Sequence, residues 1–324
     1  MQPYIPMMEN VSRVSVFKLS GLNFTSEYRY ILFSLTLLCY PVILIINITV
    51  IYVIVMDKHL YKPMYIFLSN LCINALYGTL GFYPKFLSDL LSEHHVISYL
   101  GCLVQVFVIY SSALCEFSTL TVMAVDRYLA ICRPLEYHSI MTNNTVIKCM
   151  VFSWFSPLLS MLVIVVLSST LTLCGSNIEK LYCENWSIVK LSCYPTTVNN
   201  VFGYIVIIVY FIHSLFIMCS YIKLVRACIK SKEERKRFMQ TCMPHLLSLL
   251  NVTLALLFDV MFTRYGTRNF SQDLQNFLAM EFLIIPPILN PLIYGLKLTK
   301  IRNQLLQIYQ KNAIRAVSEL DRQI

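Results

Sequence analysis

The sequence predicts an all-α membrane protein, a bundle of seven transmembrane helices followed by a short amphipathic helix. Of its 324 residues, 57% are hydrophobic and only 13% are charged, whereas soluble domains carry about 25% charged residues. The apolar residues also gather in seven long windows, and about 20 apolar residues can cross a bilayer as a helix. Strands of a membrane barrel would be only about 10 residues long and would alternate in polarity.

The seven windows follow one another with polar loops between them. They cover residues 30–56, 63–84, 100–132, 149–178, 191–222, 238–258 and 274–296. After the last window, Leu298, Ile301, Leu305 and Ile308 recur at helical spacing among basic residues, which predicts an amphipathic helix on the inner leaflet. The expected organisation is therefore a tail over 1–29, one transmembrane domain over 30–296, and a second tail with the amphipathic helix over 297–324.

The basic residues are distributed unevenly between the two sides of the predicted bundle. Eighteen of the 26 Lys and Arg residues fall on the side that carries the C-terminal tail, and eight fall on the side of the N-terminal tail. Basic residues accumulate on the cytoplasmic side, so we expect an extracellular N-terminus and a cytoplasmic C-terminus. The basic run at 230–237 is interpreted as a topology signal beside anionic lipid, with contact to a cytosolic partner as the alternative. The net charge of +9 therefore does not indicate nucleic-acid binding.

The most informative motif is the string MAVDRYLAIC at residues 123–132. It places Asp126 and Arg127 side by side at the end of the third window, where charged groups are costly unless they are paired, lie at the boundary, or have a function. Further strings are KPMYIFLSNL at 62–71, the pairs at 220–221, 241–242 and 245–246, and PILNPLIY at 287–294. In order and spacing, these strings resemble the vertebrate odorant receptors within the rhodopsin-like G-protein-coupled receptors, over about residues 30–297.

The resemblance implies a plasma-membrane receptor of olfactory sensory neurons. It would bind a small odour molecule and activate a stimulatory, olfactory-type heterotrimeric G protein, which raises cAMP. Arg127 would be held by Asp126 in the resting form and freed in the active form; the alternative is a static ion pair that ends the helix. The switch and coupling residues implied by the resemblance are Asp126, Arg127, Tyr128, Tyr221, His245, Asn290, Pro291 and Tyr294.

The chain departs from the usual family pattern at two places. Ala75 stands where the second helix usually has an aspartate, and residues 252–254 read Val-Thr-Leu where the sixth helix usually shows Phe-Tyr-Gly. Asn74 and the strings at 81–85 and 257–259 are more similar to the receptors of teleost fish than to mammalian ones.

Four cysteines fall on the outer side of the predicted bundle, namely Cys102, Cys174, Cys183 and Cys193. The resemblance implies a Cys102–Cys183 disulfide, and Cys174–Cys193 then remains as the second bond. Such bonds form outside cells. The alternative is that these four cysteines remain free, buried thiols.

Glycosylation sequons begin at several outward-facing asparagines, including Asn10, Asn23 and Asn185. The three-residue pattern is a weak signal. Asn10 and Asn23 lie on the free tail and are the expected carriers.

Glu116 lies in the middle of the third window, where an unpaired charge costs at least about 3 kcal/mol. With Asn47, Ser112 and Asn290 it could form a polar cluster in the core. One hypothesis is a sodium site, since a carboxylate cluster of this kind holds sodium in related receptors, although Ala75 removes one expected ligand. The alternative is a protonated glutamate held by hydrogen bonds.

The ligand pocket is expected between the outer halves of the third, fifth, sixth and seventh helices, because interhelical cavities are common small-molecule sites. By position the candidates are Ile109, Tyr110 and Ala113 from the third helix, Phe258 and Asp259 from the sixth, and Glu281 from the seventh. Two carboxylates would favour a polar or cationic ligand. Alternatively, Asp259 pairs with Arg264 or Arg268, and Glu281 with a neighbouring hydroxyl.

Other functions fit these features less well. A non-olfactory rhodopsin-like receptor for an amine, amino acid or peptide is the main alternative. A transporter or channel would need repeated halves or a polar stripe through the bundle, and the sequence contains no such repeat. No phosphate-binding loop, zinc-protease motif or nucleophile elbow is present, so we expect neither catalysis nor a cofactor.

Overall fold

The computed structural model describes residues 14–22, 25–228, 243–265 and 272–297. Seven long helices, here called the first to seventh membrane helices, dominate this part of the chain. They are Ser26–Met56, Pro63–Leu91, Tyr99–Cys132, Asn143–Ser169, Thr197–Cys228, Met243–Tyr265 and Gln272–Lys297. The amphipathic helix predicted after the seventh window lies outside the described residues.

The membrane helices match the fold class that the sequence predicts. The first five are long and apolar enough to span a bilayer, and the sixth and seventh contain shorter apolar stretches, Leu246–Leu257 and Leu283–Ile293. Six prolines lie inside these helices, at positions 41, 84, 157, 286, 287 and 291. Membrane helices tolerate interior prolines where neighbouring groups satisfy the freed backbone.

The third membrane helix forms the centre of the bundle. It packs against the second, fourth, fifth and sixth helices, and every residue from Ile109 to Leu120 is buried. This stretch therefore lies in the core of the bundle, and polar side chains such as Ser112 and Glu116 are buried with the apolar ones. The first, fourth and fifth helices instead expose many large apolar side chains, as expected of surfaces that face lipid.

The fourth membrane helix is displaced from its predicted window, 149–178. It begins at Asn143 because the Thr142 side chain accepts a hydrogen bond from the Thr145 backbone N–H and caps the helix. Its first turn is polar, so hydropathy alone missed it. The helix ends at Ser169, and the following apolar residues belong to an outer loop rather than to the span.

A small three-stranded sheet, which the sequence did not predict, covers one end of the bundle. This end carries the N-terminal tail and is called the outer end, after the orientation expected from the sequence. Strand Val16–Leu19 lies in the middle, paired antiparallel with Val96–Ser98 and parallel with Asn177–Ile178. Phe17 and Leu19 are buried while their neighbours are exposed, the alternation expected of a strand with one covered face. The tail and two outer loops therefore form one unit.

The chain leaves this sheet through a tight contact at Gly21. A Cβ at Gly21 would lie 2.4 Å from the Lys180 carbonyl carbon, so only glycine fits this approach. The Gly21 carbonyl oxygen accepts a 2.7 Å hydrogen bond from the Asn276 side-chain amide. This bond ties the tail to the seventh membrane helix.

A charged cluster lies beside the sheet at the outer ends of the first and second helices. The buried Asp89 carboxylate pairs with Lys85, and Arg29 donates a 3.0 Å hydrogen bond to the Leu90 carbonyl. Burial lowers the pKa of the His95 imidazole; Asp89 opposes this effect, while Arg29 and Lys85 add to it. His95 is therefore held in its neutral form more strongly than a free histidine.

Two disulfides hold the second outer loop in place. Cys102–Cys183 joins this loop to the start of the third membrane helix, and Cys174–Cys193 closes the loop on itself. This is the pairing that the family resemblance implied. Between the two bonds the loop forms a short helix, Asn185–Val189.

Candidate functional site

The inner end of the third membrane helix carries a buried carboxylate with two partners. Asp126 is fully buried. Arg127 Nε lies 3.0 Å from Asp126 Oδ2, and the Tyr137 hydroxyl donates a 2.7 Å hydrogen bond to Oδ1. Each carboxylate oxygen is thus bonded, as a buried charge requires. This is the Asp126–Arg127 contact expected of the resting form.

Tyr137 was missed in the sequence analysis. It begins a short helix, Tyr137–Ile140, after the chain leaves the third membrane helix at Cys132. Burial and the neighbouring Asp126 carboxylate raise the pKa of the Tyr137 phenol, which therefore remains a hydrogen-bond donor. The available signal was an aromatic residue three positions after Pro134: proline disrupts a continuing helix, so the chain should leave the third helix there, with Tyr137 still close to its end.

The other predicted switch residues lie on separate helices. Tyr221 is buried on the fifth membrane helix, Tyr128 is half-buried, and Pro291 is buried on the seventh. His245 and Tyr294 lie in the sixth and seventh helices, but their side chains are outside the described part of the chain.

The polar residues predicted to cluster in the core form two neighbouring groups. Asn290 Nδ2 lies 2.5 Å from Glu116 Oε1, which links the seventh helix to the third. Asn47 donates a 2.9 Å hydrogen bond to the Pro287 carbonyl. Ser112 instead exchanges hydrogen bonds of 2.9 and 3.2 Å with Asn74. Glu116 and Asn290 thus meet, while Ser112 is bonded to the second helix.

A small cavity of about 40 Å³ lies beside Glu116. It is large enough for a water molecule, which needs about 10–15 Å³. Ile109 and Ala113 line this cavity, together with Ser112 and residues of the second and seventh helices. Within the described ranges, no group of three or more His, Cys, Asp or Glu side chains could hold a metal ion.

A larger cavity of about 390 Å³ lies between the outer halves of the third, fourth, fifth and sixth membrane helices. This volume is typical of ligand pockets, which measure about 300–1,000 Å³. The second outer loop closes it from above. The lining includes Tyr110, Leu114, Phe117, Met161, Ile164, Glu184, Asn185, Trp186, Val206, Ile207, Tyr210, Phe211, Thr253, Leu256, Leu257 and Arg264.

The structure places the predicted ligand residues unevenly around this cavity. Tyr110 lines it, whereas Ile109 and Ala113 line the small cavity on the other side of the same helix. Half-buried Glu281 lines neither cavity, and no described residue of the seventh helix reaches the larger one. The side chains of Phe258 and Asp259 lie outside the described residues. Sequence position alone could not give the rotation of the third helix, which decides the cavity that each of its side chains lines.

Charged and aromatic side chains gather where the loop meets the fifth and sixth helices. The Arg264 guanidinium carbon lies 4.5 Å from the Trp186 ring centroid and 4.6 Å from that of Tyr204. Glu184 Oε2 lies 3.5 Å from Lys180 Nζ, and both residues are buried. Cation–aromatic stacking is strongest where water is excluded, so this corner orders the loop over the cavity.

Asn185, one of the sequon asparagines, is part of the same corner. Its side-chain oxygen accepts a 2.6 Å hydrogen bond from the Ser168 hydroxyl, and the residue lines the larger cavity. Asn10 and Asn23 lie outside the described residues.

Comparisons with known proteins agree with the sequence motifs and the helix bundle. Residues 36–312 match the profile of the family described as Olfactory receptor. Olfactory receptor 6E1 of Mus musculus is 30% identical over 94% of this chain and 97% of its own length. Olfactory receptor 2C3 of Homo sapiens is 32% identical over 97% and 99%, respectively, and Olfactory receptor 6N1 of Homo sapiens is 31% identical over 90% and 94%. The chain belongs to the olfactory receptor family of G-protein-coupled receptors, and it is accordingly a multi-pass plasma-membrane protein rather than an enzyme.

Proposed function

We propose that this receptor binds a small odour molecule in the larger cavity and activates a stimulatory, olfactory-type G protein, which raises cAMP in olfactory sensory neurons. The single observation that carries this proposal is the cavity of about 390 Å³, enclosed by four membrane helices and the disulfide-anchored loop. A mostly apolar chamber with a few polar groups suits a small organic ligand. The family relationship supports the coupling.

The proposed mechanism is a shift between two arrangements of the bundle. A ligand can shift this equilibrium only by its difference in affinity for the two arrangements. In the resting arrangement Asp126 holds Arg127; in the active one Arg127 turns toward an inserted segment of the G protein. Tyr128, Tyr221, His245, Pro291 and Tyr294 are proposed to rearrange with it.

In the core, we assign Glu116 as a protonated glutamate rather than a sodium ligand. The burial of Glu116 within the bundle supports this assignment, because a neutral carboxyl avoids the cost of a buried charge in lipid. The Asn290 amide donates its hydrogen bond to Oε1, which still accepts it in the protonated form. A change in the Glu116–Asn290 contact would link the third and seventh helices during activation.

The proposed topology places the N-terminus and the sheet outside the cell and the C-terminal tail in the cytoplasm, against membrane lipid. The two disulfides support this orientation, since such bonds form in oxidising compartments. Asn10 and Asn23 are the proposed glycan carriers. Asn185 is a poor one because its amide faces the cavity wall.

The experiment is a cAMP assay in cells that express the full chain with a surface tag, screened with odorants, amines and amino acids. An agonist of the wild type should give no response with Arg127→Ala at matched surface expression. Arg133→Ala is the control, because its ion pair with Glu136 is exposed and contributes little. An unchanged response in the Arg127→Ala receptor would show that the switch mechanism is wrong.

A further inference from the structure

A cluster of charged side chains lies apart from both cavities, where the first and second membrane helices meet the outer sheet. It consists of Arg29 from the first helix, Lys85 and Asp89 from the second, and His95 from the loop that follows. Arg29 Nε, Asp89 Oδ2 and His95 Nδ1 are buried and have no hydrogen-bond partner among the described residues. Each buried polar group left without a partner costs about 1–3 kcal/mol. Three such groups in one cluster call for a functional explanation.

The backbone of His95 belongs to the outer sheet. Its carbonyl oxygen accepts a 2.8 Å hydrogen bond from the Leu19 N–H, next to the pairing of the strand Val16–Leu19, here called the tail strand, with Val96–Ser98. On its other edge the tail strand pairs with Asn177–Ile178 of the second outer loop. A displacement of His95 therefore disturbs the one strand that joins the two outer loops.

The surroundings of the His95 ring oppose a further positive charge. Arg29 and Lys85 supply two positive charges, and the Asp89 carboxylate is already paired with Lys85. The charged residue of the tail strand, Lys18, lies on the exposed face of the sheet. Burial lowers the pKa of the His95 imidazole most; the Asp89 carboxylate and backbone carbonyl oppose this, and the two cations add to it. A proton on the ring would give the cluster three cations for one carboxylate.

We propose that the outer sheet is a closure that acid releases, because a protonated His95 leaves the cluster and detaches the tail strand. At neutral pH the uncharged ring packs beside Arg29 and Lys85, and the tail strand holds both outer loops. In acid the charged ring turns to water, and the hydrogen bond from Leu19 to His95 is lost with it. The two disulfides keep the second outer loop attached to the bundle. This closure is independent of the proposed ligand and of the proposed coupling.

Release of the tail strand also affects the segment that follows it. The Gly21 carbonyl oxygen accepts a 2.7 Å hydrogen bond from Asn276 of the seventh helix. The Gly21 N–H donates a 3.3 Å hydrogen bond to the Lys180 carbonyl of the second outer loop. Because both bonds lie two residues beyond the tail strand, acid should loosen the seventh helix and the second outer loop together at their outer ends.

The test follows backbone hydrogen exchange in the purified full-length receptor between pH 7.5 and pH 5, with each rate corrected for the pH dependence of exchange in an unfolded peptide. The reporter is a peptide that contains Lys18, Leu19 and Ser20, whose N–H groups are bonded across the sheet. Its protection should fall below about pH 6.5 by up to about tenfold per pH unit, the limit for one proton. A peptide from the buried centre of the third helix, residues 109–120, should stay protected throughout.

Three variants separate His95 from other effects of acid. His95→Gln cannot take up a proton and should remove the pH dependence of the tail peptide. His94→Gln, at the exposed neighbouring position, is the matched control and should keep it. Lys85→Gln removes one repelling cation and leaves the Asp89 carboxylate free to pair with the charged ring, so the loss of protection in acid should shrink.

The inference is overturned if the tail peptide keeps its protection down to pH 5, or if the His95→Gln receptor loses protection as the wild type does. It is also overturned if the third-helix peptide loses protection in parallel, since the whole bundle would then be unfolding. A receptor that shows the His95-dependent exchange but gives no cAMP response to any odorant would support the closure and contradict the proposed function.

Discussion

Tyr137→Phe tests whether the inner switch depends on a second partner for Asp126. In the structure Asp126 contacts both Arg127 and the Tyr137 hydroxyl, with the hydroxyl at 2.7 Å, and we propose that this arrangement is the resting form. When Arg127 leaves, the hydroxyl is the remaining partner of a fully buried carboxylate. Removing it should therefore destabilise the active form more than the resting form.

The size of the effect follows from the strength of a hydrogen bond to a charged group, about 1.5–3 kcal/mol. If the loss falls mainly on the active form, the ratio of active to resting receptor should fall by about 10- to 150-fold. The expected result is a cAMP dose–response curve shifted to higher agonist concentration or a lower plateau, measured at equal surface expression.

Two further variants make this prediction sharper. Asp126→Asn weakens the interaction that holds Arg127 and should raise basal cAMP. This is the opposite of the effect expected for Tyr137→Phe. Tyr61→Phe removes a hydroxyl whose 3.3 Å hydrogen bond to the Val55 carbonyl is exposed. This variant should change neither basal cAMP nor the dose–response curve. The reasoning is refuted if Tyr137→Phe leaves the dose–response curve in place or increases basal signalling.

Three other predictions concern stability. Replacing both cysteines of a disulfide by serine should lower the melting temperature more for Cys102–Cys183 than for Cys174–Cys193, because the first bond closes a loop of 81 residues and the second a loop of 19. Loop entropy gives a stabilisation of about 4.5 kcal/mol for the first and about 3 kcal/mol for the second. An equal loss of melting temperature would contradict this prediction. Glu116→Ala should destabilise the receptor by about 1–3 kcal/mol because the Asn290 amide loses its acceptor, whereas Glu116→Gln should cost much less; equal melting temperatures for the two variants would count against the bond. The lowered pKa of His95 means that the unfolded chain takes up its proton first, so stability should fall as pH drops below about 6.5. His95→Gln should flatten that dependence in thermal melts, His94→Gln should preserve it, and identical curves for His95→Gln and wild type would disprove the assignment.

The sequence predicted the helix bundle well because apolar length is a local property. Windows of about 20 apolar residues identified the spans, and Asp126 with Arg127 marked the inner end of the third helix. The predicted ends of the helices were less accurate where a polar first turn precedes the apolar part of the helix, as in the fourth membrane helix, which begins at Asn143. Three expectations stay predictions: the terminal amphipathic helix, the teleost-type assignment, and the roles of the side chains of Phe258, Asp259, His245 and Tyr294.

Features that depend on distant pairing could not be predicted from local patterns. The strand Val16–Leu19 is four residues long, and both of its partners lie far along the chain. The stacking of Arg264 on Trp186 also joins residues far apart in the sequence. Likewise, adjacent Ile109 and Tyr110 line different cavities, because one step along a helix rotates a side chain by about 100°.

The pairing of the tail with two outer loops restricts how this receptor can diversify. Slipping the register of Val16–Leu19 by one residue would turn Phe17 and Leu19 to water and bring their exposed neighbours inward, and a one-residue insertion or deletion within the strand would do this to the residues on one side of it. We therefore expect length changes in this segment to be poorly tolerated. If the larger cavity is the ligand site as proposed, we expect receptors of this type to change their odour preference by exchanging side chains that line it, with the length of the strand above it unchanged.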